Sequence, residues 1–136
     1  MIYKIAADLV VFTHFLWILF MLAGVFLTAY HLLRKNNDFF NRRIFRTVHF
    51  FGILYVAALA VLNEYCPLTI LENHLRSQHD PSLVYAGSFI VHYIESFVYP
   101  SVEPMIIIIP TAVLGFFITA VYILKPPNKI KNIFRK

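Results

Sequence analysis

Three long apolar runs constrain this chain more than any other feature in it. A helix needs about 20 predominantly apolar residues to cross the hydrocarbon layer of a bilayer. Residues 5–30, 44–62 and 105–124 each supply such a run. The first carries Asp8 and His14 as ionisable exceptions, the second has Arg46 at its start and His49 inside it, and the third has no charge. Composition agrees: 60% of residues are hydrophobic and 14% are charged, with a mean hydropathy of +0.69. Soluble domains carry nearer about a quarter charged residues. The expected fold class is therefore an all-α membrane protein. It is a small bundle of three transmembrane helices with short amphipathic helices outside the membrane, forming a single domain over residues 1–136. A fourth crossing at residues 82–99 is the alternative. The first run has no small-residue cleavage site behind it, so it reads as a retained helix and not a signal peptide.

Ten of the twelve Lys and Arg residues fall in two blocks, Arg34 to Arg46 and Lys125 to Lys136. Each block abuts an apolar run, which points to a membrane surface and away from nucleic acid. Basic loops face the cytoplasm, so the loop 31–43 and the tail 125–136 are expected inside, with the N-terminus outside. Residues 63–104 are then extracytoplasmic. A fourth crossing would put the tail on the outside. The lone Cys66 excludes an intrachain disulfide and any site that needs two cysteines from one chain.

The outer segment opens on NEYCPLTILENHLR, residues 63–76. Pro67 ends the preceding helix, and Thr69-Ile70-Leu71-Glu72 has the spacing of a capping box. Glu72 and Arg76 lie four apart on one helical face, where they can pair. Thr69, Glu72 and Arg76 are thus expected to form a structural cap. Asp80-Pro81 signals a second helix start, with Ser88, His92, Glu95, Ser96 and Tyr99 as its polar stripe. Such a helix suits the interface or the mouth of a bundle.

Inside the membrane, each span has one small or polar stripe: Ala7, Val10, His14, Trp17, Met21, Gly24 and Thr28 in the first, and His49, Gly52, Val56, Ala60 and Asn63 in the second. In the third it is Thr111, Gly115, Thr119 and Tyr122, with a kink expected at Pro110. His14 and His49 are candidate haem ligands. Antiparallel packing separates them by roughly 10 Å in depth, which opposes a single shared haem. Cys66, Glu72 and His92 are candidate metal ligands of the outer group, although their spacing matches no standard motif. His92 is expected to fold onto Cys66, Glu72 or Arg76. His14 is placed deep in its helix, about 16 Å from its outer end, with its partner on the second or third span and without direct contact to His92.

Three segments carry a resemblance: AADLVVFTH (6–14), CPLTILENHLR (66–76) and YAGSFIVHYIESFVYP (85–100). In this order they resemble a bacterial membrane family known as a domain of unknown function, number 2784. The similarity runs from about Ile5 to Leu124. Its positions match here at Asp8, His14, His49, Cys66, Pro67, Leu68, Thr69, Glu72, Leu75, Arg76, Tyr85, Gly87, Phe89 and His92. A tryptophan often precedes the family cysteine, whereas this chain has Leu62-Asn63-Glu64-Tyr65 there. The resemblance implies an integral membrane protein of three or four helices, from a bacterium, with no assigned activity. The expected function is an accessory or structural subunit of the cytoplasmic (inner) membrane with a polar cap at the outer mouth, rather than an enzyme. Its expected partners are lipid and a second copy or a larger complex. The alternative is a haem- or metal-binding redox protein using the inward histidines and the outer cluster.

Overall fold

The computed structural model describes residues 1–86, 89–90, 92–93, 103 and 105–127. Its helices are α1 (Ile2–Leu33), α2 (Asn37–Phe40), α3 (Arg43–Val61), α4 (Pro67–His79) and α5 (Met105–Leu124), with a 3-10 turn at Pro81–Leu83. Among the described residues, α1, α3 and α5 are long and apolar enough to cross a membrane. Large apolar side chains such as Phe12, Phe15, Phe26, Phe51 and Phe116 stay exposed on them, as lipid-facing surfaces require. The alternative fourth crossing at 82–99 lies largely outside the described residues.

Both long helices that enter loops end in the same way. Lys35 and Asn63 have φ of 53° and 56°, in the left-handed region. Lys35 N–H donates to the Leu32 carbonyl and Asn36 N–H to that of His31; Asn63 N–H donates to Ala60 and Glu64 N–H to Leu59. These paired bonds form Schellman stops, which satisfy carbonyls a helix end would leave free. They reverse the chain tightly, so α1 and α3 run antiparallel.

The stripe predicted for α1 is close to the buried set, which is Ala7, His14, Met21, Gly24, Val25 and Thr28. In α3 the buried residues are Arg46, His49, Gly52, Ile53 and Ala57, while Val56 and Ala60 of the predicted stripe are half-buried. In α5 they are Gly115, Ile118 and Val121, one step round from the predicted stripe. α3 packs mainly against α5, and α1 mainly against α4. Where the two pairs meet, Met21, Val25, Ile53 and Ile118 form a shared apolar core. Close approach there depends on glycine: a Cβ on Gly24 would overlap the His49 ring, and one on Gly115 would overlap Ala57.

The end carrying the first basic block and Lys125 is closed by one arginine. Arg46 is 5% exposed and its guanidinium donates to the carbonyls of Phe40, Val121 and Lys125. It also lies over the rings of Phe40 and Tyr122, 5.1 and 5.3 Å from their centroids. The loop 34–42 and the beginning of the C-terminal segment therefore sit at the same end of the bundle. We call this the basic end, and the opposite end, which holds α4, the cap end.

Candidate functional site

His49 fixes the register of α1 against α3. Its Nε2 lies 2.9 Å from the Met21 carbonyl oxygen and its ring fills the notch at Gly24. Val61, the last residue of α3, lies about 18 Å farther toward the cap end at 1.5 Å per residue. It is then level with about residue 11 of α1, and the first ten residues of α1 project roughly 14 Å beyond it. Asp8 sits in this projection and is exposed, which removes the puzzle of a carboxylate inside an apolar run. α4 packs on α1, and Ala7 is 1% exposed.

Glu72 is the centre of this cap. It is wholly buried, at 0% exposure. One oxygen, Oε1, accepts from Arg76 Nε at 2.9 Å and from the Tyr93 hydroxyl at 3.2 Å. The other, Oε2, accepts from the Tyr85 hydroxyl at 2.8 Å. Arg76 Nη2 also lies 3.3 Å from the Tyr93 hydroxyl. A second lock holds Tyr85 by its backbone: Asn73 Nδ2 donates to the Tyr85 carbonyl at 2.8 Å, and Tyr85 N–H donates to Asn73 Oδ1 at 3.3 Å. Bonds to a charged acceptor contribute roughly 1.5–3 kcal/mol each, so the carboxylate ties α4 to the segment that follows it. Burial, then the hydrogen bond and charge of Glu72, push the Tyr85 phenol well above the ordinary tyrosine value; burial and the Glu72 charge raise Tyr93 as well. Burial alone would lower Arg76, but the Glu72 hydrogen bond and charge reverse this and raise it.

Beneath the cap lies a cleft of about 170 Å³. α1 contributes His14, Trp17, Ile18, Met21 and Leu22 to its wall; α3 contributes Ile53, Val56, Leu59 and Ala60; α5 contributes Ile107, Thr111 and Leu114. Glu64, Cys66, Thr69, Phe89 and Ile90 complete the cap side. The cleft is apolar for most of its extent. Beside it, two buried polar atoms have no hydrogen-bond partner among the described residues and almost no accessible surface: His14 Nδ1, in a residue 5% exposed, and Thr69 Oγ1, in a residue 2% exposed. An orphaned buried polar group costs about 1–3 kcal/mol. A third such atom, His31 Nδ1, belongs to a ring stacked on Phe39 and is not in the cleft wall.

Several expectations need correction. The capping box does not form. α4 starts at Pro67, the favoured first helical residue, so Cys66 stands at the cap position without a side-chain cap bond, and Thr69 is already inside the helix. The second helix does not run on from Pro81: Asp80 does accept from Ser82 N–H at 2.9 Å, but the turn ends at Leu83 and Val84 is extended. Helical residues recur at Phe89, Ile90, His92 and Tyr93, while the rest of the polar stripe, Ser88, Glu95, Ser96 and Tyr99, lies outside the described residues. The ring contact of His14 is with Phe89, centroids 4.2 Å apart, and not with the second or third span. His92 stacks on Tyr85, with ring centroids 3.7 Å apart, and reaches Glu72 only through that tyrosine.

Neither ligand set is assembled. His49 is engaged with Met21 and His14 lies seven residues along α1 from that contact, about 10 Å away. Cys66 faces the cleft, whereas both oxygens of Glu72 are taken by its donors. Among the described residues, no three His, Cys, Asp or Glu side chains converge as a metal-holding group. The Glu72–Arg76 pair is present. Sequence reasoning missed Tyr93 altogether and gave Tyr85 no role, because nothing local links either phenol to a carboxylate 13 or 21 positions earlier.

No curated protein and no solved structure matches the chain. A family model does match, over residues 4–126, and carries the description Protein of Unknown function (DUF2784). That match spans the bundle, the Glu72 cap and the cleft together, and the chain belongs to this family.

Proposed function

We propose that this protein is a membrane-embedded binding subunit that holds a small lipid-soluble molecule beneath a structural polar cap. The cleft under the cap supports the reading: its wall is mostly apolar and is built largely from the three long apolar helices. The Glu72 cluster is the lid's fastening. Three donors engage both of its oxygens, which suits holding. With the basic end in the cytoplasm, the cap lies on the outer face of a bacterial inner membrane, and the cleft lies in the leaflet next to it. A ligand then enters from lipid, and the exposed faces of α1, α3 and α5 meet lipid or a larger complex.

Solvent extraction and mass spectrometry of the purified full chain test this reading against Ala60→Phe, which fills the cleft from α3. A lipid-soluble compound near one per chain in the wild type, and depleted in the variant, is the expected result. Equal content in both, or none in either, refutes it. For orientation, a cysteine at position 37 in a Cys66→Ser background should resist an impermeant thiol reagent in intact cells, and labelling from outside reverses the topology.

A further inference from the structure

The basic end, opposite the cleft, carries a surface of another kind. There each long apolar helix has a very exposed apolar residue with a cation beside it in the chain: Leu33 and Arg34 on α1, Ile44 and Arg43 on α3, Leu124 and Lys125 on α5. Leu33, Ile44 and Leu124 are 84%, 83% and 80% exposed. The Arg34 guanidinium lies 5.4 Å from the centroid of the Tyr30 ring, and tyrosine favours the level where acyl chains meet headgroups. This end therefore turns from apolar to cationic at one boundary on all three helices.

Arg46 brings cations from two distant parts of the chain to one corner of that boundary. Its guanidinium holds the carbonyls of Phe40 and Lys125 together, and Lys125 Nζ lies 4.7 Å from the centroid of the Phe40 ring. Arg42 and Arg43, both exposed, follow Phe40 directly after Asn41. Asp38 is the single acid between residues 31 and 46. Among the described residues, no carboxylate lies within ion-pair distance of Arg42, Arg43 or Lys125. The charge of this corner is thus not neutralised within the described chain, and Arg46 itself is spent on carbonyls.

We propose that this corner binds an anionic phospholipid, with the phosphate among Arg42, Arg43 and Lys125 and the acyl chains on the apolar surface that begins at Ile44 and Leu124. Guanidinium groups take phosphate through paired N–H donors. A soluble anion would use the cations alone, whereas a phospholipid supplies charge and chain in one molecule, in the order in which this end presents them. A zwitterionic lipid brings its own ammonium, which the corner repels. The site lies at the other end of the bundle from the cleft, and neither depends on the other.

Native mass spectrometry of the full chain in mild detergent tests this, with phosphatidylglycerol and phosphatidylcholine of matched chains offered in equal amounts. Each cation near a membrane surface favours an anionic lipid about fivefold, so the first adduct should be phosphatidylglycerol by at least that factor. Arg42→Gln/Arg43→Gln/Lys125→Gln should bring the ratio close to one, while Lys4→Gln, an exposed change in the first turn of α1, keeps it. If circular dichroism shows that the triple variant does not fold, Arg42→Gln alone carries the test and should lower the ratio at least about twofold. Equal uptake of the two lipids by the wild type overturns the proposal. So does a preference that the folded variant retains in full. Glycerophosphate at the same concentration should leave the adduct in place, and its displacement of the lipid would overturn the lipid assignment in favour of a site for phosphate alone.

Discussion

Glu72→Ala strikes the cap at its most buried point. The wild-type carboxylate has no solvent exposure and accepts from Arg76, Tyr85 and Tyr93. Alanine leaves a guanidinium whose side chain is 18% exposed without its anion, and two phenols without their acceptor. Arg76 and Tyr93 keep their mutual contact at 3.3 Å, which recovers a part of the loss. Breaking one side of a buried ion pair costs about 3–5 kcal/mol. At this chain length each kcal/mol moves the melting midpoint by roughly 3–5 °C, so a fall of roughly 10–20 °C is expected. Glu72→Gln keeps the volume and one acceptor oxygen and should lose about 1.5–3 kcal/mol. Asp38→Ala, an exposed change near the basic end, is the control and should stay within about 0.5 kcal/mol. Circular dichroism melts of the three variants in mild detergent, with proteolysis in the segment 80–86 as a local probe, supply the comparison. If Glu72→Ala melts within about 2 °C of the control, and segment 80–86 stays protected, the cap does not hold the lid.

The other expectations concern the interior and alkaline pH. Gly24→Ala pushes a methyl into the His49 ring and should cost about 1–3 kcal/mol by overpacking; the loss should shrink in the Gly24→Ala/His49→Ala double variant, and strict additivity would contradict the contact. Arg46→Lys should not rescue the loss seen in Arg46→Ala, because one ammonium does not reproduce a planar fork that reaches Phe40, Val121 and Lys125 while lying over two rings; equal melting of Arg46→Lys and wild type would refute this. Tyr85 and Tyr93 are raised in the folded chain, so the stability they contribute is complete below the unfolded phenol value of about 10 and declines as pH rises above it. Melting midpoints at about pH 8 and about pH 11 should diverge less in Tyr85→Phe than in the wild type, and identical pH slopes would count against the phenol–carboxylate bond.

Periodicity carried most of the fold because lipid leaves a helix few alternatives: backbone groups must be paired within the segment. The inner face of α1 was legible from His14, Met21, Gly24 and Thr28 for that reason. The faces of α3 and α5 drifted because large residues, Ile53, Ile118 and Val121, compete with small ones for the interior. Sequence also gave away the Glu72–Arg76 pair, which needs only helical spacing. It failed where two local signals competed. Pro67 and Thr69 both mark a helix start, and proline at the first position removes an N–H that would be unpaired anyway, so the helix begins two residues before the capping-box register. It failed again on depth. The apolar run 5–30 looks like one full crossing, which puts His14 in the middle. The shorter α3 sets the level instead, and α1 outruns it, so His14 comes within reach of Phe89. Tyr85 and Tyr93 meet Glu72 only through tertiary folding, and no spacing rule encodes that.

The same two features explain why a cleft exists at all. At mid-bundle α1 and α3 approach as closely as Gly24 permits, with His49 seated in the notch and bonded to the Met21 carbonyl. Toward the cap end the wall residues are larger: Trp17 and Met21 pack against Gly52, and the Phe89 ring lies tilted against His14 at 4.2 Å. α1 is also drawn to α4, its main partner, while α3 stays with α5. The cleft lies between these pairs, on the cap side of the Gly24–His49 contact. Apolar side chains left facing a gap lose dispersion contacts, so such a separation persists only when something more rigid holds it. The Glu72 bonds and the Asn73 clasp on Tyr85 supply that rigidity at the cap end. The buried acid in the sequence thus braces the cap above the cleft, holding α4 to the segment that follows it.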